Sequence, residues 1–339
     1  MKPTTRRLRV AVAFAVLLTG ATACSTLQAG TSNSSSGTAT PKNVQIVVDT
    51  GPGGGSDLFA REIVKLAQQT KGISSNWPVL SQTAGGGLGA MAFMKGKANQ
   101  TNYVAAFTSK WVISALGTAN PPASLKDLTP IAELADETQI VAVPTSSPYH
   151  NFKDFVADAK AHPNKLVQTG GAVSSVDNLI ALKVEKDTGT KWKYLSFADG
   201  GPRITALLRG DAQMMIGAKS DFQEQVDAGK LRIIAVFSDK RMAAFPNVPT
   251  MTEQGFDMSS LPAQLQFRGI AGPPGMSPAA VSYYVGVLQK MVKSPGWQKY
   301  MDSEGDTTQF VTGSALTALI NKFTASMTPL VHSLSGAGQ

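Results

Sequence analysis

Residues 49–61, DTGPGGGSDLFAR, set four glycines and a proline between an apolar run and a segment with helical spacing. A tight turn accounts for such a cluster, but bare backbone at a helix start also lets an anion approach the amide N–H groups. The loop is not of the Walker A type, because no Lys-Ser/Thr pair follows at the required spacing, and it fails GxGxxG at Ser56. GGSDL misses the GxSxG nucleophile elbow, and three scattered histidines, His150, His162 and His332, give a Ser-His-acid triad no support. No paired catalytic carboxylates stand out. What remains is noncovalent capture of a small anion by backbone amides, hydroxyls and a few cations, without catalysis.

The elements that must position such a loop follow a repeated rhythm. VQIVVDT reads as a buried strand, and SDLFAREIVKLAQQTKG as a helix with Leu58, Ile63, Leu66 and Ala67 on one face, Ser56 as N-cap and Gly72 as stop. Strand WPVLSQ, loop TAGGGLG and a helix around Ala90 to Lys97 follow, then strand YVAAFTS and helix WVISALGTA. After QIVAVPTSSPY the rhythm restarts: helix NFKDFVADAKAHP, strand NKLVQTG, loop GAVSS, helix VDNLIALKVEKDTG, strand WKYLSF, loop ADGG and helix PRITALLRG, with Pro202 suited to a first helical position. Strand AQMMIGA, loop KSD, helix FQEQVDAGK and strand LRIIAVFS complete it. Such alternation argues for parallel sheets covered by helices, with ligands beyond the carboxyl ends of the strands, where the glycine-rich loops fall. The C-terminal third, QFRGIAGPPG and then mainly helix from Ser277 to Leu334, has too few strands for its own sheet and is expected to return to the first domain.

Composition narrows the classes. The 339 residues are 42% apolar and 16% charged, as in an ordinary soluble protein, and suffice for two domains. A single cysteine, Cys24, excludes an internal disulfide framework and a Cys-cluster metal site; no metal and no cofactor are expected. Lys2, Arg6, Arg7 and Arg9, the apolar VAVAFAVLL and the small residues of TGATAC read as an export signal over residues 1–23. The ATAC end is similar to a bacterial lipobox, with Cys24 as the lipidated residue, although Ala21 stands where leucine is commonest; the alternative is a plain secretory signal with an incidental thiol. Residues 24–42, rich in Ser, Thr and Gly, form a tether. Without the four signal cations, 27 basic residues face 23 acidic ones, so the formal charge falls from +8 to about +4. No clustered Lys/Arg with interleaved aromatics speaks for nucleic acid.

The series GPGGGSDLFARE, AGGGLGAMAF, GGAVSSVDNL, ADGGPRITALLRGDAQMMIGAKSDF, AGKLRIIAVFSDKR, FPNVPTMTEQGFD and FRGIAGPPGMSP resembles the substrate-binding proteins of tripartite tricarboxylate transporters, the Bug family, across residues 43–335. The resemblance implies an α/β fold of the periplasmic-binding-protein type (type II), two α/β lobes with a ligand cleft between them. The lobes are expected at 43–140 plus 246–339 and at 141–245, with crossings near 140 and 245. It further implies a receptor that captures a small carboxylate and delivers it to integral-membrane permease subunits. It would act as a monomer, lipid-anchored on the outer face of the cytoplasmic membrane, or periplasmic if not lipidated. A ligand-binding sensory or envelope lipoprotein acting through a protein partner is the alternative.

By the same resemblance the carboxylate is held by Gly53, Gly54, Gly55, Ser56 and Asp57, with matching loops at Gly170 to Ser175, including Gly171, Ser174 and Ser175, and at Ala198 to Gly201, including Asp199 and Gly200. The Gly85 to Gly89 turn is more structural. Ser109 and Lys110 follow one strand and Lys219 another, so each lobe offers a cation to the cleft or to solvent. Arg268 is either a third ligand contact or part of a buried interlobe ion pair. Asp177 and Asp199 either accept a ligand hydroxyl or cap helices, Asp177 being the better cap. Trp111, Tyr149 and Phe197 are either pocket walls or core. Two or three cations near the cleft would suit a di- or tricarboxylate.

Overall fold

The computed structural model describes residues 40–197, 200–259, 261–262 and 265–335, the side chains of 334 and 335 excepted. The expected signal 1–23, the lipid acceptor Cys24, most of the tether and Asp199 lie outside the described residues.

Three β-loop-α units open the described chain: β1 (Gln45–Val48) to α1 (Gly55–Gln69), β2 (Val79–Ser81) to α2 (Leu88–Lys95), and β3 (Tyr103–Thr108) to α3 (Ser109–Leu116). A short 3-10 turn, Ala84–Gly87, precedes α2. β4 (Thr129–Glu137) then runs into β5 (Gln139–Pro144) across the single residue Thr138. α4 (Phe152–Ala161), β6 (Val167–Gly170), α5 (Val176–Thr188), β7 (Lys193–Ser196), α6 (Gly200–Arg209), β8 (Met214–Ala218), α7 (Lys219–Asp227) and β9 (Leu231–Phe237) follow. β10 (Gln266–Gly272), α8 (Pro278–Val292), α9 (Pro295–Glu304), β11 (Thr307–Thr312) and α10 (Gly313–Ser335) complete the chain.

Two sheets result. The first has the order β11-β4-β10-β3-β1-β2 and the second β7-β6-β8-β5-β9. The chain passes between them at Thr138 and returns between β9 and β10. The β-loop-α units pair in parallel, β1 with β2 and β3, and β6 with β7 and β8. The sheets are nevertheless mixed rather than parallel throughout. β10 runs antiparallel to β3 and β4, β11 to β4, and β5 to β8 and β9. β4 and β5 lie in different sheets, so the one-residue link at Thr138 carries the chain from one sheet to the other and does not join neighbouring strands.

The C-terminal third does return to the first sheet, as the strands β10 and β11. Its helices cover that sheet: Tyr284 and Trp297 pack with Ile46, Phe59 and Ile63 in one buried cluster. α1 buries Phe59, Ile63, Leu66 and Ala67, at i, i+4, i+7 and i+8, while Leu58 is 55% exposed and not on that face. The helix ends at Gln69, with Thr70 N–H donating to the Leu66 carbonyl and Gly72 N–H to that of Ala67. Among the described residues no helix is long and apolar enough to cross a membrane.

Candidate functional site

β1 and β3 lie side by side in parallel, so the first residues of α1 and α3 emerge next to each other at one edge. Asp49, just past β1, meets Lys110 at 2.5 Å and accepts a 2.7 Å hydrogen bond from Ser56 Oγ. Burial pushes the Asp49 carboxyl up, but Lys110 and Ser56 outweigh it and hold the group below its usual value. Ser56 is therefore not the N-cap: that position belongs to Gly54, and α1 starts at Gly55. A Cβ on Gly54 would lie 2.6 Å from Thr50 Cβ, and Gly53 has φ +78°, so the turn needs both glycines. Asp57 turns back on the loop, accepting from Gly53 N–H at 2.9 Å while Arg61 holds it at 2.9 Å. That bond to Arg61 keeps its carboxyl below the ordinary range. The first N–H groups of α1, on Gly55 and Ser56, have no acceptor within their own helix.

The second lobe presents a matching loop. Gly171 N–H donates to Asp177 at 2.8 Å, as does the Tyr194 hydroxyl, and Ser196 Oγ donates to the Gly171 carbonyl at 2.7 Å. Ser175 Oγ also bonds Asp177. A Cβ on Gly170 would lie 2.1 Å from the Asp177 carboxylate, so the tight fold around Asp177 requires that glycine. Asp177 is thus the buried post of the loop rather than a cap; Ser175 is the N-cap of α5. Ser174 Oγ lies 2.9 Å from Ser114 Oγ, which itself donates to the Gly86 carbonyl at 2.9 Å. With its proton committed to Gly86, Ser114 accepts from Ser174, and a hydroxyl relay joins α3 to the loop before α5.

These loops share one cavity of about 700 Å³. Of the expected site residues, Gly55, Ser56, Lys110, Gly171, Ser174, Ser175 and Arg268 line it; Gly53, Gly54, Asp57, Ser109, Gly200 and Lys219 do not. Ser109 is buried, its hydroxyl oxygen 2.9 Å from both the Leu265 carbonyl and Gln266 Oε1, which share its one proton. Lys219 heads α7, whose first turn takes in the expected KSD loop, and its ammonium is spent on the Ser303 carbonyl at the end of α9. Arg268, opposite Thr108 in the β10–β3 register, binds Glu137 through Nε at 2.6 Å and stands over the Phe59 ring at 5.2 Å. The pair is buried, but both partners belong to the first sheet, so it is not interlobe. Trp111 and Tyr149 are core residues, Tyr149 bonding Asp158 at 2.5 Å, and Phe197 does not line the cavity.

Several lining residues escaped the sequence reading. Arg203, in the first turns of α6, stands near Asp221 in α7, which accepts from Ala218 N–H at 3.0 Å. Burial pushes the Asp221 carboxyl up, and Arg203 offsets part of that. The GGPR run at a helix start was a signal for Arg203; Asp221, three residues past a strand end, was legible as a capping carboxylate. Away from the charged edge the lining turns apolar, with Leu88, Ile113, Leu179, Leu182 and Val331 from α2, α3, α5 and α10.

Two lobes, each offering a glycine and hydroxyl loop at a helix N-terminus to one shared cavity, define a periplasmic-type solute-binding protein. The fold agrees with solved structures: the periplasmic binding protein BugD at TM-score 0.76 and 19% identity, covering 86% of this chain and 97% of that one. MatC from Rhodopseudomonas palustris, with bound malate, gives TM-score 0.75 at 18% identity, covering 86% and 99%. The family model of the tripartite tricarboxylate transporter family receptor matches residues 79–334, and the chain belongs to that family, one of receptors and not of enzymes. Protein BugT of Bordetella pertussis is 27% identical over 220 residues, 63% of this chain and 66% of BugT, just under two thirds of that relative's length.

Proposed function

We propose that this chain is an extracytoplasmic receptor that captures a small carboxylate between its two lobes and delivers it to a tripartite tricarboxylate-type membrane permease. The observation that carries the reading is the pair of facing loops: Gly55 and Ser56 at the start of α1, and Gly171 to Ser175 before α5, around one cavity. Amide groups at two helix N-termini suit a carboxylate, and contacts from both sides favour the joined arrangement. The malate bound by MatC supports the ligand class. In this reading the closing lobes are the first and the second sheet with their helices, exchanged at Thr138 and between β9 and β10, and Cys24 carries the lipid that keeps the receptor at the membrane. The expectation of a di- or tricarboxylate rested on Lys110, Lys219 and Arg268 as available cations. Lys110 and Arg268 are ion-paired and Lys219 is bonded outside the cavity, so that ground falls away.

Calorimetric titration with carboxylates of graded size tests the reading. A ligand at 100 times its dissociation constant stabilises the native state by about 2.7 kcal/mol, which thermal unfolding reads in parallel. Ser56→Ala removes one donor from the Asp49 carboxylate, leaves more negative charge beside the cavity, and should weaken carboxylate binding in the same titration. Heat and thermal shift absent for every carboxylate would refute the proposal.

A further inference from the structure

The cavity has two chemically different ends. At one stand Asp49 with Lys110, Glu137 with Arg268, and Arg203 near Asp221; at the other, Leu88, Ile113, Leu179, Leu182 and Val331. Side-chain contacts tie each end together. Gln139 Nε2 donates to Glu137 at 2.9 Å and Arg268 reaches the Gly55 carbonyl at 3.4 Å, so the charged groups cluster beside the start of α1. A Cβ on Gly117, just past α3, would lie 3.7 Å from Val331 Cγ1, which sets α10 beside the end of α3, and the Ser114–Ser174 relay stands between α3 and the α5 loop.

The charge count at the polar end is close to even. Among the described lining residues three cations, Lys110, Arg203 and Arg268, face four carboxylates, Asp49, Glu137, Asp177 and Asp221. A ligand with two or three carboxylates would carry further negative charge into a cleft with no cationic surplus to receive it. A single carboxylate needs no surplus, because the amides in the first turns of α1 and α5, which have no acceptor within their own helices, suffice for one anionic group. The lining points the same way: Leu88, Ile113, Leu179, Leu182 and Val331 give the cavity an apolar wall that a second charged group cannot use. A compact hydroxy acid at the polar end would leave the leucines unoccupied.

Resting on the receptor reading, we propose that the ligand is a monocarboxylate with an apolar body, aromatic or aliphatic, whose carboxylate sits at the α1 and α5 loops and whose body fills the Leu88, Leu179, Leu182 and Val331 end. Each buried methylene then strengthens binding about fourfold. Calorimetry on the full chain with acetate, butyrate, hexanoate, benzoate, 4-phenylbutyrate, malate and citrate decides it, with hexanol and benzyl alcohol as controls lacking the carboxylate. The expected result is affinity rising from acetate to hexanoate, with hexanoate or an aromatic acid at least tenfold tighter than malate and citrate, and no binding of the alcohols. Leu182→Asn and Leu88→Asn, both at partly exposed positions, should each cost hexanoate about tenfold while leaving acetate unchanged, with circular dichroism reporting the fold. Malate or citrate binding as tightly as hexanoate, or tighter, would overturn this inference and leave the receptor reading standing. Binding of the alcohols alone would overturn it too, and binding of no carboxylate would overturn both.

Discussion

Asp49 and Glu133 show how the same side-chain chemistry is used in opposite ways. Asp49 is held charged by Lys110, so its folded value lies below its unfolded one; its stabilisation is present above that unfolded value and is lost as pH falls. Glu133, buried in β4, is pushed up to about 8, first by burial and then by the nearby Asp136 carboxylate. Its sign is reversed: the stabilisation is full below the unfolded value and drains away as pH rises toward about 8. Glu133→Gln should therefore flatten the fall of Tm between about pH 5 and pH 8, and a slope identical to that of the parent would refute the assignment. At this scale the sequence is informative about glycines, whose need is local, and poor about cations. Lys110 and Arg268 find their partners at Asp49 and Glu137, far along the chain, and only the pairing of β1 with β3 and of β4 with β10 brings them together.

Among the elements, those that alternate strand, polar loop and helix were legible from periodicity, and those that depart from it were not. β4, TPIAELADE, carries Glu133, Asp136 and Glu137, which mask a largely buried strand set between β11 and β10; β11, TTQFVT, is partly exposed and lies between two helices. α7 begins at Lys219 instead of Phe222, because the Asp221 carboxylate at the third position takes up the Ala218 N–H and lets the helix start directly at the strand end. α4 offers the cleanest test of such an end. Asn151 Oδ1 accepts from Asp154 N–H at 3.0 Å, and the Asp154 carboxylate in turn accepts from Asn151 N–H at 3.3 Å. Asn151→Ala should cost about 1 kcal/mol in denaturant unfolding, with an unchanged m-value; a loss under a few tenths would show that the reciprocal bonds carry nothing.

For the whole molecule the question is what joins the halves. α10 packs on β4, β11 and α3 and also reaches α5; Lys219 reaches the Ser303 carbonyl, and Ser174 reaches Ser114. The last is a single neutral hydrogen bond, worth about 1 kcal/mol net. Ser174→Ala should weaken ligand affinity about fivefold while shifting Tm of the unliganded chain little, as read by calorimetry and thermal unfolding. An unchanged affinity would remove the relay from the capture step. The two-lobed plan was legible through the family resemblance, whereas the mixed direction of the sheets was not, since antiparallel pairing of β5 and β10 is a property of how the chain travels between sheets.

The relay ends on the carbonyl of Gly86, which holds φ +61°. A Cβ at that position would lie 2.8 Å from Ser114 Oγ and 3.3 Å from Ser174 Oγ, the two hydroxyls that meet across the halves. The missing side chain thus acts as a mechanical tolerance: one methyl group would be a shim wedged in the joint. How far the two halves can seat is set there by atoms the chain leaves out.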